Sequence, residues 1–302
     1  MNEETVKMYE PKNIPIRDNS RRKVELDKQS FDAFGGVIEG KRRFSFRKFL
    51  ITILLLLILA IAGGCGFFYY KMELKAYQPN TYAKQTIREG SSAFGIAEHE
   101  IDGHDCLVFY GNGPAREHHR GLVFYPGGAV DYQAYAPLLN ELRDSFSVIV
   151  VPKMPMQFAW FGRNYADAIR REYKGMDEWY MAGHSLGGLI AANYVAEHEK
   201  EYRGLILLAS YSMKDLSDSG LKVLSICGDA DGVISQERFA SARKNLPSDA
   251  AVEILKGANH GQFGSYGKQA GDGKASIRAG EQRKQTAELI RQFLDENDGT
   301  EE

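Results

Sequence analysis

Cysteine is scarce in this chain. There are three in 302 residues, Cys65, Cys106 and Cys227, which is no disulfide framework and no metal-ligand spacing. Cys106 and Cys227 lie in apolar, strand-like runs, where a buried and inert thiol is the expected state. An excess of one charge is missing too. The chain carries 38 Lys and Arg against 40 Asp and Glu, a net −2, so no global field draws nucleic acid or acidic polymers. No internal repeat is visible. His99, His104, His118 and His119 cluster in sequence, but their spacing fits no tight metal site, and solvent-facing loop histidines are expected.

What is present suits one sizeable globular domain with appendages, at 43% apolar and 26% charged residues. The first boundary is FLITILLLLILAIAGGCGFFYY, Phe49–Tyr70, which carries no charge. At about 1.5 Å per residue such a helix spans roughly 33 Å, a bilayer hydrocarbon core. Phe67, Phe68, Tyr69 and Tyr70 form an aromatic belt at its far end. Before it stand Lys41, Arg42, Arg43, Arg47 and Lys48; just after it come only Lys71 and Lys75. That bias predicts a single-pass protein of the cell membrane, with the N-terminus cytoplasmic and the larger domain extracytoplasmic. A cleaved signal peptide fits less well, because its n-region would be far longer than usual. Ala62-Gly63-Gly64-Cys65 resembles a lipoprotein box weakly, since the apolar run continues past it. Residues 1–48, polar and mixed in charge, are expected to be a disordered cytoplasmic tail. Residues 71–121 read as a connector with an early strand at Asp105–Tyr110, and 298–302 as a tail.

From 122 to 297 short apolar runs alternate with helical patterns. Strands are predicted at Leu122–Tyr125, Ser147–Val151, Glu178–Ala182, Leu205–Ala209, Val223–Cys227 and Ala251–Leu255. Helices are predicted at Tyr132–Arg143, Tyr165–Tyr173, Leu186–His198, Gln236–Leu246 and Arg278–Asn297. This alternation predicts an α/β fold, a mainly parallel sheet with helices on both faces. Strands apolar on both sides fit a sheet covered twice.

Gly183-His184-Ser185-Leu186-Gly187 ends one predicted strand and opens one predicted helix. A G-x-S-x-G arises by chance in roughly one shuffled sequence of this composition in five, so its setting must decide. The setting is a strand–turn–helix, where the serine sits on a sharp turn and neighbours two residues away must be small. The helix N-terminus offers the Leu186 N–H to a developing oxyanion. A serine hydroxyl needs a base and an orienter. After the strand Val223–Cys227 come Asp229 and Asp231, and Asp231 is the better placed. After Ala251–Leu255 comes His260, the only histidine beyond residue 198. The loop Pro126-Gly127-Gly128-Ala129 follows an early strand and supplies a second oxyanion donor, with Gly128 preferred over Gly127 and Ala129.

The stretches FYPGGAVDYQAYAPLL, KMPMQFAWFG, GHSLGG, ASYSMKDLSDSG, GDADGVIS and ANHGQFGSYGKQAGDG together resemble the α/β-hydrolase superfamily. Within it they look like a membrane-tethered, cap-less bacterial serine hydrolase group. The resemblance implies the triad Ser185, Asp231 and His260 but no particular substrate. The run after His260 departs from the plainer loop of many hydrolases; Gln262, Phe263 and Tyr266 are expected to pin it.

Only Ser210–Lys222 separates two strands where many relatives insert a helical cap, so the site should be open. Tyr132, Met154, Met156, Trp160 and Phe161 are expected to bound it and to favour an acyl or aryl guest. The expectation is a serine esterase acting on a small-molecule or lipid-like acyl substrate, without metal or organic cofactor. Amide or peptide cleavage, acyl transfer and a non-catalytic binding domain are the alternatives.

Overall fold

The computed structural model describes residues 45–70, 75–113, 115 and 119–298, together with a two-residue antiparallel pairing of Ser30–Phe31 with Val37–Ile38. The expected disorder of the tail otherwise lies outside the described residues, as do 299–302. Helix α1, Phe46–Tyr69, has no buried residue and is long and apolar enough to cross a membrane.

The larger unit is built on one eight-stranded sheet. Its strands are β1 Ile96–Ile101, β2 His104–Tyr110, β3 Arg120–Tyr125, β4 Val148–Pro152, β5 Glu178–His184, β6 Gly204–Leu208, β7 Lys222–Gly228 and β8 Ala251–Leu255. The spatial order is β8-β7-β6-β5-β3-β4-β2-β1. Strand β2 runs antiparallel to both β1 and β4. All other pairings are parallel.

Alternation along each strand feeds two cores. Leu122, Phe124, Tyr180, Ala182, Ile206 and Leu208 face one way. They pack with Leu138 and Leu139 of α3, Ala136–Glu141, and with Ile290 and Phe293 of α7, Ala279–Asp298. Val123, Tyr125, Met181, Leu205 and Leu207 face the other way. They meet Ile169 of α4, Tyr165–Glu172, and Ile190 and Val195 of α5, Leu186–Glu197. Burying each such side chain favours folding by about 1.5–3 kcal/mol before entropy is counted.

Beyond its expected early strand, β2, the connector holds α2, Thr81–Ser92, and the strand β1; two other expectations need correction. Helix α2 is mostly polar and anchors through few apolar residues; Asn80 caps it by accepting from the Ala83 N–H at 3.0 Å. Strand β8 is not apolar on both faces, because it lies at the sheet edge and leaves Glu253 and Ile254 exposed. The helix after β7 ends early, with α6 at Gln236–Ala242 followed by a 3₁₀ turn.

Candidate active site

The parallel strands β3 to β8 end at one rim, and backbone strain collects there. Eight non-glycine residues have positive φ among those described. Five of them, Ala129, Met156, Gln157, Ser185 and Ala209, follow the C-terminal ends of β3, β4, β5 and β6. Each costs about 1–3 kcal/mol, so the surrounding packing must enforce it.

Ser185 stands between β5 and α5 at φ 54°, ψ −124°. The turn is tight enough that a Cβ on Gly187 would lie 2.2 Å from the Pro126 carbonyl oxygen. The Ser185 N–H donates to the Leu208 carbonyl at 2.9 Å, and the buried Ser210 hydroxyl donates to the Ser185 carbonyl at 2.7 Å. Both bonds hold the serine backbone in its strained state.

Asp231 and His260 meet. His260 Nδ1 lies 2.8 Å from Asp231 Oδ2, with both side chains almost wholly buried. Asp231 Oδ1 accepts from the Val233 and Ile234 N–H groups at 2.8 and 2.9 Å, so the carboxylate cannot swing away. Asp229 turns elsewhere and accepts from the Gly257 N–H at 2.6 Å. The far nitrogen of the imidazole, His260 Nε2, is buried and has no hydrogen-bond partner among the described residues. His260 and Ser185 line the same open cavity of about 290 Å³.

Of the three N–H groups expected to supply a second oxyanion donor, two are occupied. The Gly127 N–H donates to the Tyr135 hydroxyl at 2.9 Å, and the Ala129 N–H to the Gln157 carbonyl at 2.9 Å. The Gly128 N–H has no such partner among the described residues, and a Cβ there would touch the Leu186 side chain at 3.0 Å. Leu186 is the first residue of α5, where the N–H groups lack intrahelical acceptors. Leu186 and Gly128 are thus neighbours across the turn.

His184, the x before the serine, ties these parts together. Its Nε2 lies 3.1 Å from the His260 carbonyl, and its Nδ1 lies 2.9 Å from the Tyr135 hydroxyl. A carbonyl only accepts, so Nε2 carries the proton and Nδ1 accepts from Tyr135. Burial holds His184 well below its ordinary pKa of 6.5, and the neighbouring His260 ring adds to this. In the native state it stays neutral where the unfolded chain takes up a proton. Its contribution to stability is thus complete above pH 6.5 and is lost as pH falls below that value, by at most about 1.4 kcal/mol per pH unit. Chemical denaturation at pH 7.5 and 5.5 should show this loss in the wild type and a shallower one in His184→Gln.

The expected pocket wall is elsewhere. Tyr132 and Met154 are buried in the two cores, because their loops fold inward against the sheet. Trp160 and Phe161 are exposed and line a separate depression beside Arg163, Asn164 and Tyr165. Met156 takes φ 52° in the turn that receives Ala129. The cavity with Ser185 is walled instead by Leu189, Tyr211, Val233, Ile234 and Arg238. Leu189 and Arg238 lie on α5 and α6 and the others on loops, and no periodic pattern says which side of the rim they face, so sequence reasoning missed these. Of the four clustered histidines, the three described find no common centre: His99 meets the Tyr110 hydroxyl at 3.0 Å and His104 stacks on Tyr165 at 3.7 Å. His119 lies 3.0 Å from the Gly175 carbonyl, and His118 is outside the described residues. Burial pushes the thiols of Cys106 and Cys227 up to about 12, which keeps them unreactive.

Comparison with known proteins agrees with the fold. The model of the alpha/beta hydrolase family matches residues 121–284, more than half of the chain. The chain belongs to the α/β-hydrolase family. Among solved structures, it is similar to a Xanthomonas campestris serine hydrolase without a lid, at 18% identity and a TM-score of 0.51, over 66% of this chain and 95% of that one. A membrane phospholipase A described as a bacterial virulence factor matches at 17% identity and a TM-score of 0.52, over 84% of this chain and all of the other. A predicted hydrolase from Thermoplasma acidophilum matches at 14% identity and a TM-score of 0.51, over 65% and 98%. At these identities the likeness is one of fold. No curated protein matches the sequence.

Proposed function

We propose that this α/β-hydrolase is a membrane-anchored serine hydrolase that cleaves a carboxylic ester or related acyl bond through an acyl-enzyme. The observation that carries the reading is the Asp231–His260 pair, whose free Nε2 lies at the cavity that holds Ser185 on its strained turn. Ser185 Oγ attacks the carbonyl carbon, and its proton passes to His260 Nε2. Asp231 fixes the tautomer with Nδ1–H and stabilises the imidazolium. The Leu186 and Gly128 N–H groups hold the oxyanion. The intermediate collapses, the bond to the leaving oxygen breaks, and Nε2–H protonates the departing alcohol. Water, deprotonated by Nε2, then releases the acid and restores Ser185.

The apolar side of the cavity, formed by Leu189, Val233 and Ile234, favours small or lipid-like acyl esters. Residues 49–70 would anchor the chain in the cell membrane, with the N-terminus cytoplasmic and the catalytic domain extracytoplasmic. Amide cleavage or acyl transfer would use the same groups. A binding domain that kept the fold would have no use for a buried, paired histidine with its outer nitrogen free.

The test is labelling of the full-length protein in membranes by a fluorophosphonate, followed by peptide mass mapping. The expected adduct sits on the peptide containing Ser185. A folded wild type that takes up no probe would exclude an activated serine.

A further inference from the structure

The run between His260 and α7 contains Gly271-Asp272-Gly273, and Asp272 has no part in the chemistry described above. Its carboxylate makes no ion pair among the described residues, yet four backbone N–H groups converge on it. Oδ1 accepts from His260 at 3.1 Å, from Gly232 at 3.3 Å and from Gly273 at 2.7 Å. Oδ2 accepts from Gly261 at 2.8 Å. These donors belong to two loops that leave different strands. Gly232 follows Asp231 after β7, and His260 and Gly261 follow β8.

The flanking glycines bring the carboxylate this close. A Cβ on Gly273 would lie 1.9 Å from the Ala230 carbonyl oxygen, and one on Gly232 would lie 2.6 Å from the Gly273 nitrogen. Gly271 takes φ +81°, which lets the chain turn into this contact. The other side of the His260 loop is fixed separately. The buried Gln282 of α7 accepts from the Asn259 N–H at 3.0 Å and donates to its carbonyl at 2.8 Å.

We infer that Asp272 is a positioning residue, whose carboxylate staples the Asp231 loop to the His260 loop and so sets the acid–base pair against Ser185. Bonds from N–H groups to a carboxylate are about twice as strong as neutral ones, which suits a staple across two loops. The inference rests on the proposed hydrolase reading. A misplacement of about 1 Å in such a pair can cost 10²-fold in rate.

The experiment compares full-length wild type, Asp272→Asn and Asp272→Ala in detergent micelles. It measures kcat and KM on p-nitrophenyl butyrate, the rate of fluorophosphonate labelling, and thermal melting. An asparagine with its oxygen in the Oδ1 place keeps three of the four contacts and sets an amide N–H against the Gly261 N–H. Asp272→Asn should therefore lose about tenfold in kcat and Asp272→Ala about 10²-fold, with KM within twofold and labelling slowed in step. If Asp272→Ala does not fold, Asp272→Asn decides alone. A folded variant that melts earlier but keeps kcat within twofold overturns the inference, as does a change confined to KM. Wild-type turnover with unaffected variants sinks the staple alone. A folded wild type with neither turnover nor labelling sinks the hydrolase reading and the staple with it.

Discussion

Ser185→Ala should lower kcat by about 10⁴- to 10⁶-fold and leave KM nearly unchanged. The expected size follows from what the mutation spares. Cβ remains, so the turn at φ 54° is as strained as before, and the Ser185 backbone bonds to Leu208 and from Ser210 persist. Melting should therefore stay close to wild type. On the proposed reading the Leu186 and Gly128 N–H groups would still polarise a bound carbonyl, which leaves a residual rate above that of water. What disappears is the acyl-enzyme, because His260 would have to deliver water along a path shaped for Oγ. The measurement is steady-state turnover of a short-chain ester, together with the pre-steady-state burst, which should vanish. A folded Ser185→Ala that retains a tenth of wild-type kcat would exclude Ser185 as the nucleophile.

Strands with a buried face on each side are the part of this fold most legible in the sequence. Leu122–Tyr125 and Leu205–Ala209 announce themselves as continuous apolar runs because both layers of helices cover them. The serine was legible through its place between strand and helix rather than through its glycines. Helix α2 was not legible. Its sequence TYAKQTIREGSS has few apolar residues, and what orders it is a cap at Asn80 and packing beside Ile96. Edge strand β1, IAEHEI, carries Glu98, His99 and Glu100 in a row at its centre and pairs only with β2, so it too reads as connector.

The pocket wall failed for another reason. Aromatic and Met residues near a rim signal burial without saying which side of the rim they serve. Tyr132 and Met154 go to the cores, while Tyr211, Val233 and Ile234 reach the cavity from loops whose course depends on tertiary contacts. The run after His260 was legible only as an anomaly. Of the three residues expected to pin it, Phe263 and Tyr266 are buried, while the Gln262 Oε1 finds no partner among the described residues; Asp272 shows its partners only when the two loops meet.

Asp231→Asn should lose about 10⁴-fold in kcat, whereas Asp229→Asn should stay within about threefold of wild type. Both aspartates leave the same strand, and only their partners differ. In Asp231→Asn the side-chain amide keeps an oxygen for the Val233 and Ile234 N–H groups, so the loop should hold. The amide nitrogen then faces His260 Nδ1 and donates to it. The imidazole would have to accept at Nδ1 and carry its proton on Nε2, the nitrogen that must take the Ser185 proton. The base would be present, correctly placed and in the wrong tautomer. Asp229, by contrast, only closes a turn by accepting from the Gly257 N–H, a task an asparagine oxygen also performs. Measuring kcat for the two variants with melting as a control separates orientation of the base from stability of the loop. Equal losses in both would mean that the loop, and not the tautomer, limits the rate.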